Sequence, residues 1–234
     1  METLIDSDVL RVSVARDGDS KYITLCFTGI GYAYGGLDIQ GEEFRKSAKN
    51  GTSVFIIDKQ RSWGNYLDFG QIKAIVDSLG PGHTVNAVGN SMGGFLAILA
   101  SRYIEIANCI AIVPQFSVHK GVFPDESRWD KWVDKIANWK ILDLGNCFNE
   151  STNYYILGGV GGADDKHYNM MPNKKNVHKI YFRNRKYIHN VSQILKDENL
   201  LYDVISDCFL GRTASEIVAA RLSDPAHGAF AANP

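Results

Sequence analysis

The chain lacks the features that mark membrane, secreted and nucleic-acid-binding proteins. Its N-terminus, METLIDSDVLRV, carries acids where a secretory signal carries basic residues, and no apolar run is long enough to span a bilayer. The formal net charge is −1, and the lysines and arginines are scattered instead of forming the basic patch that nucleic acid requires. We therefore expect a soluble, cytoplasmic protein that binds neither nucleic acid nor membrane.

Cysteine is also sparse, and its pattern excludes a metal site of the usual kind. The four cysteines show no metal-ligand spacing, and Cys26 and Cys109 lie in apolar strand patterns, which indicates buried free thiols in a reducing compartment. The histidines lack ligand spacing too, and the glycine-rich turns lack a phosphate-binding fingerprint. The sequence therefore predicts no metal and no organic cofactor.

No Pro/Ser-rich linker or run of like charge divides the 234 residues. With 45% hydrophobic residues the chain can form one sizeable core, so we predict a single domain over residues 1–234. Its last part, 211–234, fades into Asp224-Pro225-Ala226-His227-Gly228 and is predicted to be a mobile tail or an oligomer contact, as in a homodimer.

Short apolar strand patterns alternate with helical patterns along most of the chain. This alternation predicts an α/β fold, in which a mostly parallel sheet is covered by helices on both faces and ligands bind beyond the carboxyl ends of the strands. An Asp17-Gly18-Asp19 turn follows the first strand. The predicted strands are 9–15 at a sheet edge, 22–27, 53–57, 84–88, 109–113, 154–157 and 177–182, with helical patterns at 67–79, 94–100 and 192–199.

The segment TVNAVGNSMGG, residues 84–94, combines an apolar strand, a tight turn and the start of a helix. Its centre, Gly89-Asn90-Ser91-Met92-Gly93, has the G-x-S-x-G form that presents a serine hydroxyl at a helix N-terminus. The spacing alone also fits a structural turn serine, but the strand before it and the helix after it are what the nucleophile motif requires. Here the chain resembles the α/β-hydrolase family, over roughly residues 9–200, which implies that Ser91 is a catalytic nucleophile.

The resemblance also implies an acid and then a histidine after the late strands. His189 follows the last predicted strand and opens the final helical stretch, which is the family position of the catalytic base. Gly161-Gly162-Ala163-Asp164 matches a family pattern and favours Asp164 as the acid, with Asp165 as the alternative and Asp143 as an outside candidate. The other histidines fit this position less well: His83, His119, His167, His178 and His227. Among them, only His167 is kept, as a substrate contact.

The oxyanion of an acyl-transfer intermediate needs two N–H donors. By resemblance, the backbone of Met92 supplies one and that of Ile30 the other, although Phe27-Thr28-Gly29-Ile30-Gly31 replaces the family's frequent His-Gly-x sequence. The bend this loop requires is permitted by its glycines, at positions 29, 31, 35 and 36.

Residues 117–149 interrupt the strand–helix alternation and hold three of the four tryptophans. They fit either one or two amphipathic helices on the sheet edge, or the small cap over a substrate cleft that many α/β-hydrolases carry here. Trp129 and Trp132 would then stack on a sugar ring or cover an acyl chain, and Arg61, after a strand end, would bind an acidic substituent.

These residues predict a serine hydrolase that cleaves a small-molecule or carbohydrate ester, such as an O-acyl sugar, or a thioester, through an acyl-enzyme. Two alternatives remain open. An acyltransferase would use the same residues but exclude water, and a binding or scaffold protein would keep the fold without turnover. A peptidase is disfavoured, since nothing suggests a propeller domain or an N-terminal amine clamp.

Overall fold

The computed structural model describes residues 1–16, 21–34 and 37–232, so the predicted turn at Asp17-Gly18-Asp19 and the pair Gly35-Gly36 lie outside the described residues. Two short 3-10 turns span Arg45–Asn50 and Arg185–Tyr187. The strands, in chain order, are β1 (Glu2–Asp6), β2 (Leu10–Ala15), β3 (Tyr22–Phe27), β4 (Tyr32–Tyr34), β5 (Leu37–Ile39), β6 (Thr52–Asp58), β7 (Thr84–Asn90), β8 (Asn108–Ile112), β9 (Asn153–Gly159), β10 (Val177–Phe182) and β11 (Ala229–Ala232). The helices are α1 (Phe69–Ser78), α2 (Met92–Ala100), α3 (Asp130–Val133), α4 (Asp165–Met170), α5 (Val191–Asp197), α6 (Leu201–Phe209) and α7 (Ala214–Arg221).

Nine strands form one twisted sheet in the order β1-β2-β6-β3-β7-β8-β9-β10-β11, while β4 and β5 form a separate hairpin. The neighbours from β6 to β10 are parallel, and β2, β1 and β11 each run antiparallel to the strand they join. The predicted α/β class with a mostly parallel sheet is confirmed. The strand expected over 9–15 is present as β2, but its predicted edge position is wrong, because β1 pairs outside it with Ile5 opposite Val12.

Helices cover both faces of the sheet, which explains why its central strands are apolar throughout. Side chains alternate between the faces: in β6, Val54 and Ile56 join the core under α1 and α2, whereas Phe55 joins the core under α5, α6 and α7. No helix in the described parts of the chain combines the length and apolar character that a bilayer span requires.

The insertion at 117–149 is mostly irregular, with the four-residue α3 as its helix, instead of one or two amphipathic helices. Val133, Leu144 and Phe148 bury their side chains in the core under α1 and α2. Asn65 on the neighbouring loop fixes the segment further, because its Oδ1 accepts hydrogen bonds from the backbone N–H groups at 140 and 141. The insertion is therefore attached to the same side of the sheet as α2.

The predicted tail, from 211 onward, holds α7 and β11. A capping box between Thr213 and Glu216 starts α7, and Ile217 and Leu222 are buried in the core under α5 and α6. The strand β11 then pairs with β10 and becomes the last strand of the sheet. Apolar burial and backbone pairing thus include residues 214–232 in the fold.

Candidate active site

Ser91 lies in a turn that brings β7 and α2 very close together. Its φ of 55° and ψ of −120° are strained for a residue with a Cβ. A Cβ on Gly89 would lie 2.0 Å from the carbonyl oxygen of Gly93, and one on Gly93 would lie 2.2 Å from that of Phe27. Only glycine fits at these two positions, and the strand, turn and helix that the motif requires are all present.

His189 and Asp164 approach Ser91 from two later loops. The Ser91 Oγ and His189 Nε2 atoms are 3.3 Å apart, and His189 Nδ1 is 2.8 Å from Asp164 Oδ2. An ionised carboxylate only accepts hydrogen bonds, so Nδ1 carries a proton and Nε2 is left to accept one from the serine hydroxyl. The structure therefore brings together the three side chains that the sequence singles out, in the arrangement that activates a serine.

A further side chain, Gln115, holds the serine oxygen from the other side. Its Nε2 donates a hydrogen bond of 3.0 Å to Ser91 Oγ, and its Oε1 accepts one of 3.1 Å from Trp63 Nε1. Since the indole N–H is only a donor, it fixes the orientation of the Gln115 amide. Because Ser91 Oγ accepts from Gln115, the serine proton is free to point towards His189.

Asp164 uses both carboxylate oxygens. Oδ2 accepts from His189 and Oδ1 accepts a 2.7 Å hydrogen bond from Arg128 Nη1. Burial acts to raise the pKa of Asp164, but the hydrogen bonds and charges of His189 and Arg128 outweigh it and hold that pKa below its ordinary value. Asp165 instead accepts from the backbone N–H of Gly161, so the geometry favours Asp164 as the partner of the histidine.

Arg128 is itself held by Glu126. Arg128 Nε and Nη2 donate to the two oxygens of Glu126 at 2.9 and 2.7 Å, and the fully buried His167 contacts the same carboxylate at 3.1 Å. Burial acts to raise the pKa of Glu126, but the hydrogen bonds and charge of Arg128 lower it to about 2. Burial lowers the pKa of His167 despite the nearby carboxylate. His167 thus contacts Glu126 and Arg128, and within the described part of the chain its ring makes no hydrogen bond with Ser91.

The aromatic side chains of the insertion lie beside these groups. The ring centroid of Trp129 is 5.5 Å from that of His189 and 6.3 Å from that of Trp63. Trp132 lies farther along and faces Arg61, whose guanidinium carbon is 5.9 Å from its ring centroid. Of the three predicted substrate contacts, Trp129 therefore lies beside His189, whereas Trp132 and Arg61 contact each other.

The loop after β3 runs close to the nucleophile turn. A Cβ on Gly29 would lie 3.0 Å from the carbonyl oxygen of Asn90, and the Gly29 N–H donates to Glu43 Oε1 at 3.2 Å. The next residue, Ile30, accepts a hydrogen bond from Arg61 Nε through its carbonyl oxygen. Met92 is the first residue of α2, where an N–H has no partner within the helix.

Left-handed backbone at residues other than glycine is concentrated at this edge of the sheet. Of the seven such residues in the described parts of the chain, Phe44 and Asn199 lie elsewhere, and the other five follow the carboxyl ends of strands of the large sheet, where each costs free energy that the surrounding structure must offset. They are Arg61 and Trp63 after β6, Ser91 after β7, Val113 after β8 and His189 after β10, with φ values of 52°, 48°, 55°, 44° and 51°.

The weaker candidates from the sequence have other contacts. Asp143 Oδ1 accepts from the backbone N–H of Gly145, and His83 Nδ1 contacts the Gly80 carbonyl. The rings of His119, His178 and His227 contact Trp139, Tyr155 and Tyr187. Within the described residues, no cluster of histidine, cysteine and carboxylate side chains could hold a metal ion, and the four cysteines are buried free thiols.

Neither a protein-family model nor a curated protein matches the sequence. Several solved structures resemble it. The capsule O-acetyltransferase of Neisseria meningitidis serogroup A gives a TM-score of 0.62 at 15% identity, over 86% of this chain and 93% of that one. Est1E from Butyrivibrio proteoclasticus gives a TM-score of 0.52 at 12% identity, over 88% of this chain and 98% of that one. The acylaminoacyl peptidase of Pyrococcus horikoshii gives 0.60 at 13% identity, over 90% of this chain and 41% of that one.

This chain has the α/β-hydrolase fold.

Sequence reasoning missed two groups that the α/β-hydrolase fold brings to Ser91 and Asp164. Gln115 lies just after β8, so the rule that ligands gather at strand carboxyl ends could have singled it out. Arg128 had no such signal, because it lies in the irregular insertion and meets Asp164 only through the tertiary structure.

Proposed function

We propose that the protein is a serine-dependent acyl hydrolase that works through an acyl-enzyme, with Ser91 as nucleophile, His189 as base and Asp164 as the acid that orients it. The observation that carries the proposal is the continuous hydrogen-bonded series from Asp164 through His189 to Ser91. The near neighbours in fold, an esterase and an acetyltransferase by name, support acyl transfer as the reaction class.

In the proposed reaction His189 Nε2 takes the proton of Ser91 as Oγ attacks the acyl carbon. The tetrahedral oxyanion is stabilised by the backbone N–H groups of Met92 and Ile30. His189 then gives its proton to the departing alkoxide or thiolate, which leaves an ester on Ser91. Water, activated by the same imidazole, cleaves that ester and restores the serine. Asp164 stays ionised and stabilises the imidazolium in both halves.

We propose a carboxylic ester, including an O-acetyl group on a sugar, or a thioester as the substrate. In this proposal Trp129, whose ring centroid is 5.5 Å from that of His189, contacts the sugar ring or acyl chain attached to the reacting carbonyl. The buried free thiols support a cytoplasmic location. A homodimer, and the absence of nucleic-acid and membrane partners, stay part of the proposal.

An acyltransferase is the second candidate. It is favoured by the similarity to a capsule O-acetyltransferase over 93% of that chain, another structure of which contains CoA. Such an enzyme would form the same acyl-enzyme but transfer the acyl group to an alcohol or amine. Product analysis with and without added acceptors separates the two, because a hydrolase releases the free acid at the same rate in both cases.

The first experiment is incubation with a fluorophosphonate, followed by intact-mass measurement beside Ser91→Ala. A single adduct that the variant loses is expected, since only an activated serine displaces the fluoride. If wild-type protein forms no adduct, the non-catalytic binding or scaffold alternative is favoured.

A further inference from the structure

The loop between β6 and α1 is built around a buried carboxylate. Asp58 Oδ2 accepts hydrogen bonds from the backbone N–H groups of Ser62 and Gly64 and from the Ser62 hydroxyl, at 2.9, 3.1 and 2.9 Å. Asp58 is fully buried. These bonds hold Arg61 and Trp63 in left-handed backbone conformations. The side chains of this loop are therefore held in place before any ligand arrives.

Trp63 and Arg61 connect this loop to the proposed active site through hydrogen bonds. Trp63 bonds to Gln115, which bonds to Ser91 Oγ. Arg61 Nε donates a 2.8 Å hydrogen bond to the carbonyl oxygen of Ile30, the proposed oxyanion residue. Arg61 therefore contacts the loop that carries the proposed oxyanion donor, and Trp63 contacts the side chain that donates to Ser91 Oγ.

The charge of Arg61 is not matched by an acid among the described residues. Its contacts there are the carbonyl oxygens of Ile30 and Lys59 and the face of Trp132, and its Nη2 group makes no hydrogen bond to that part of the chain. Arg128 differs, because its donors are occupied by Asp164 and Glu126. A fixed guanidinium with a donor edge left over is suited to a planar or tetrahedral oxyanion.

We propose that Arg61 and Trp132 form a subsite for an anionic substituent, a carboxylate or a phosphate, on the molecule whose acyl group reacts at Ser91. Arg61 Nη2 and the second N–H of Nη1 bind the anion, while the Trp132 ring packs against the adjoining carbon skeleton. The inference rests on the proposed function and extends it to the class of substrate.

The test uses fluorophosphonate probes that differ only at the far end of a short linker, which ends in a carboxamide, a carboxylate or a phosphonate. In each case Ser91 Oγ bonds to phosphorus, fluoride leaves and His189 takes the proton. The measured quantity is the second-order labelling rate, followed by intact mass. We expect wild-type protein to react faster with an anionic probe, and Arg61→Gln to reduce the anionic-to-neutral rate ratio about tenfold. The faster anionic probe distinguishes a carboxylate from a phosphate as the natural substituent.

Arg102→Gln is the matched control, since it removes the same charge at the exposed far end of α2 and should leave the ratio unchanged. Arg61→Lys keeps the charge without the planar donor edge and should give an intermediate ratio. If Arg61→Gln slows all three probes equally, Arg61 only holds the Ile30 loop and the subsite is refuted. A wild-type preference for the carboxamide probe refutes it as well. If no probe labels wild-type Ser91, the proposed function itself has failed.

Discussion

Arg128 Nη1 donates a 2.7 Å hydrogen bond to Asp164 Oδ1, the carboxylate oxygen that His189 does not contact. Arg128 and an imidazolium at His189 are thus stabilised by the same carboxylate, that of Asp164. Arg128 comes from the insertion, so this contact links the irregular segment to the proposed acid. The two hydrogen bonds from Arg128 to Glu126 fix the guanidinium, and the fixed guanidinium helps to orient the Asp164 carboxylate.

We expect Arg128→Met to reduce the rate of Ser91 labelling by about tenfold or more, because the Asp164 carboxylate loses its second hydrogen bond. Arg128→Lys keeps the positive charge beside Asp164 and should recover part of the lost rate. The measurement is the second-order labelling rate of both variants and of wild-type protein. An unchanged rate in Arg128→Met would show that the Asp164 carboxylate does not need its second hydrogen bond.

The two adjacent aspartates should differ strongly. Asp164→Asn is expected to reduce labelling by about a thousandfold or more, because an amide in place of the carboxylate stabilises the wrong histidine tautomer. Asp165→Asn removes only an acceptor for the Gly161 N–H and should have a small effect. Labelling rates of the two variants, compared with Ser91→Ala, decide the matter. The opposite order would assign the acid to Asp165.

Gln115→Leu should affect both reactivity and stability. The serine oxygen loses a donor, and the buried Trp63 Nε1 loses its acceptor, which we expect to reduce the free energy of unfolding by about 1–3 kcal/mol. Urea denaturation measures the stability and fluorophosphonate labelling the reactivity. A double-mutant cycle with Trp63→Phe supplies the control, since removing both polar partners should lose less stability than the two single changes added together. Additive losses would contradict the proposed pairing.

Stability should fall as acid protonates the carboxylates beside Arg128. The folded-state pKa of Glu126, about 2, lies below its ordinary value of 4.5, so its contribution is present above pH 4.5 and is lost as the pH falls towards 2. The lowered pKa of Asp164 acts in the same direction. Urea denaturation over this range should show a shallower decline for Glu126→Gln than for wild-type protein. Equal slopes would mean that Glu126 is not ionised against Arg128.

The sequence could predict the strands β2, β3 and β6 to β10 and the positions of Ser91 and His189, because each depends on a local pattern: an apolar run, a glycine turn or a loop before a helix. For the acid, the sequence favoured Asp164 over Asp165 only through a family pattern, since adjacent residues at the start of α4 point in different directions only once the helix is placed. The strand β11 was missed for a related reason. Ala229–Ala232 has too weak a strand pattern to show by itself, and it becomes a strand by pairing with β10.

The left-handed residues at the strand ends have a consequence for engineering. Val113 is the one among them whose side chain carries none of the proposed chemistry, and its β-branched, buried side chain makes a φ of 44° especially unfavourable. Variants selected for both heat resistance and activity should therefore accumulate substitutions away from this edge of the sheet, except at Val113. A gain in melting temperature from relaxing Arg61, Ser91 or His189 would come at the expense of turnover.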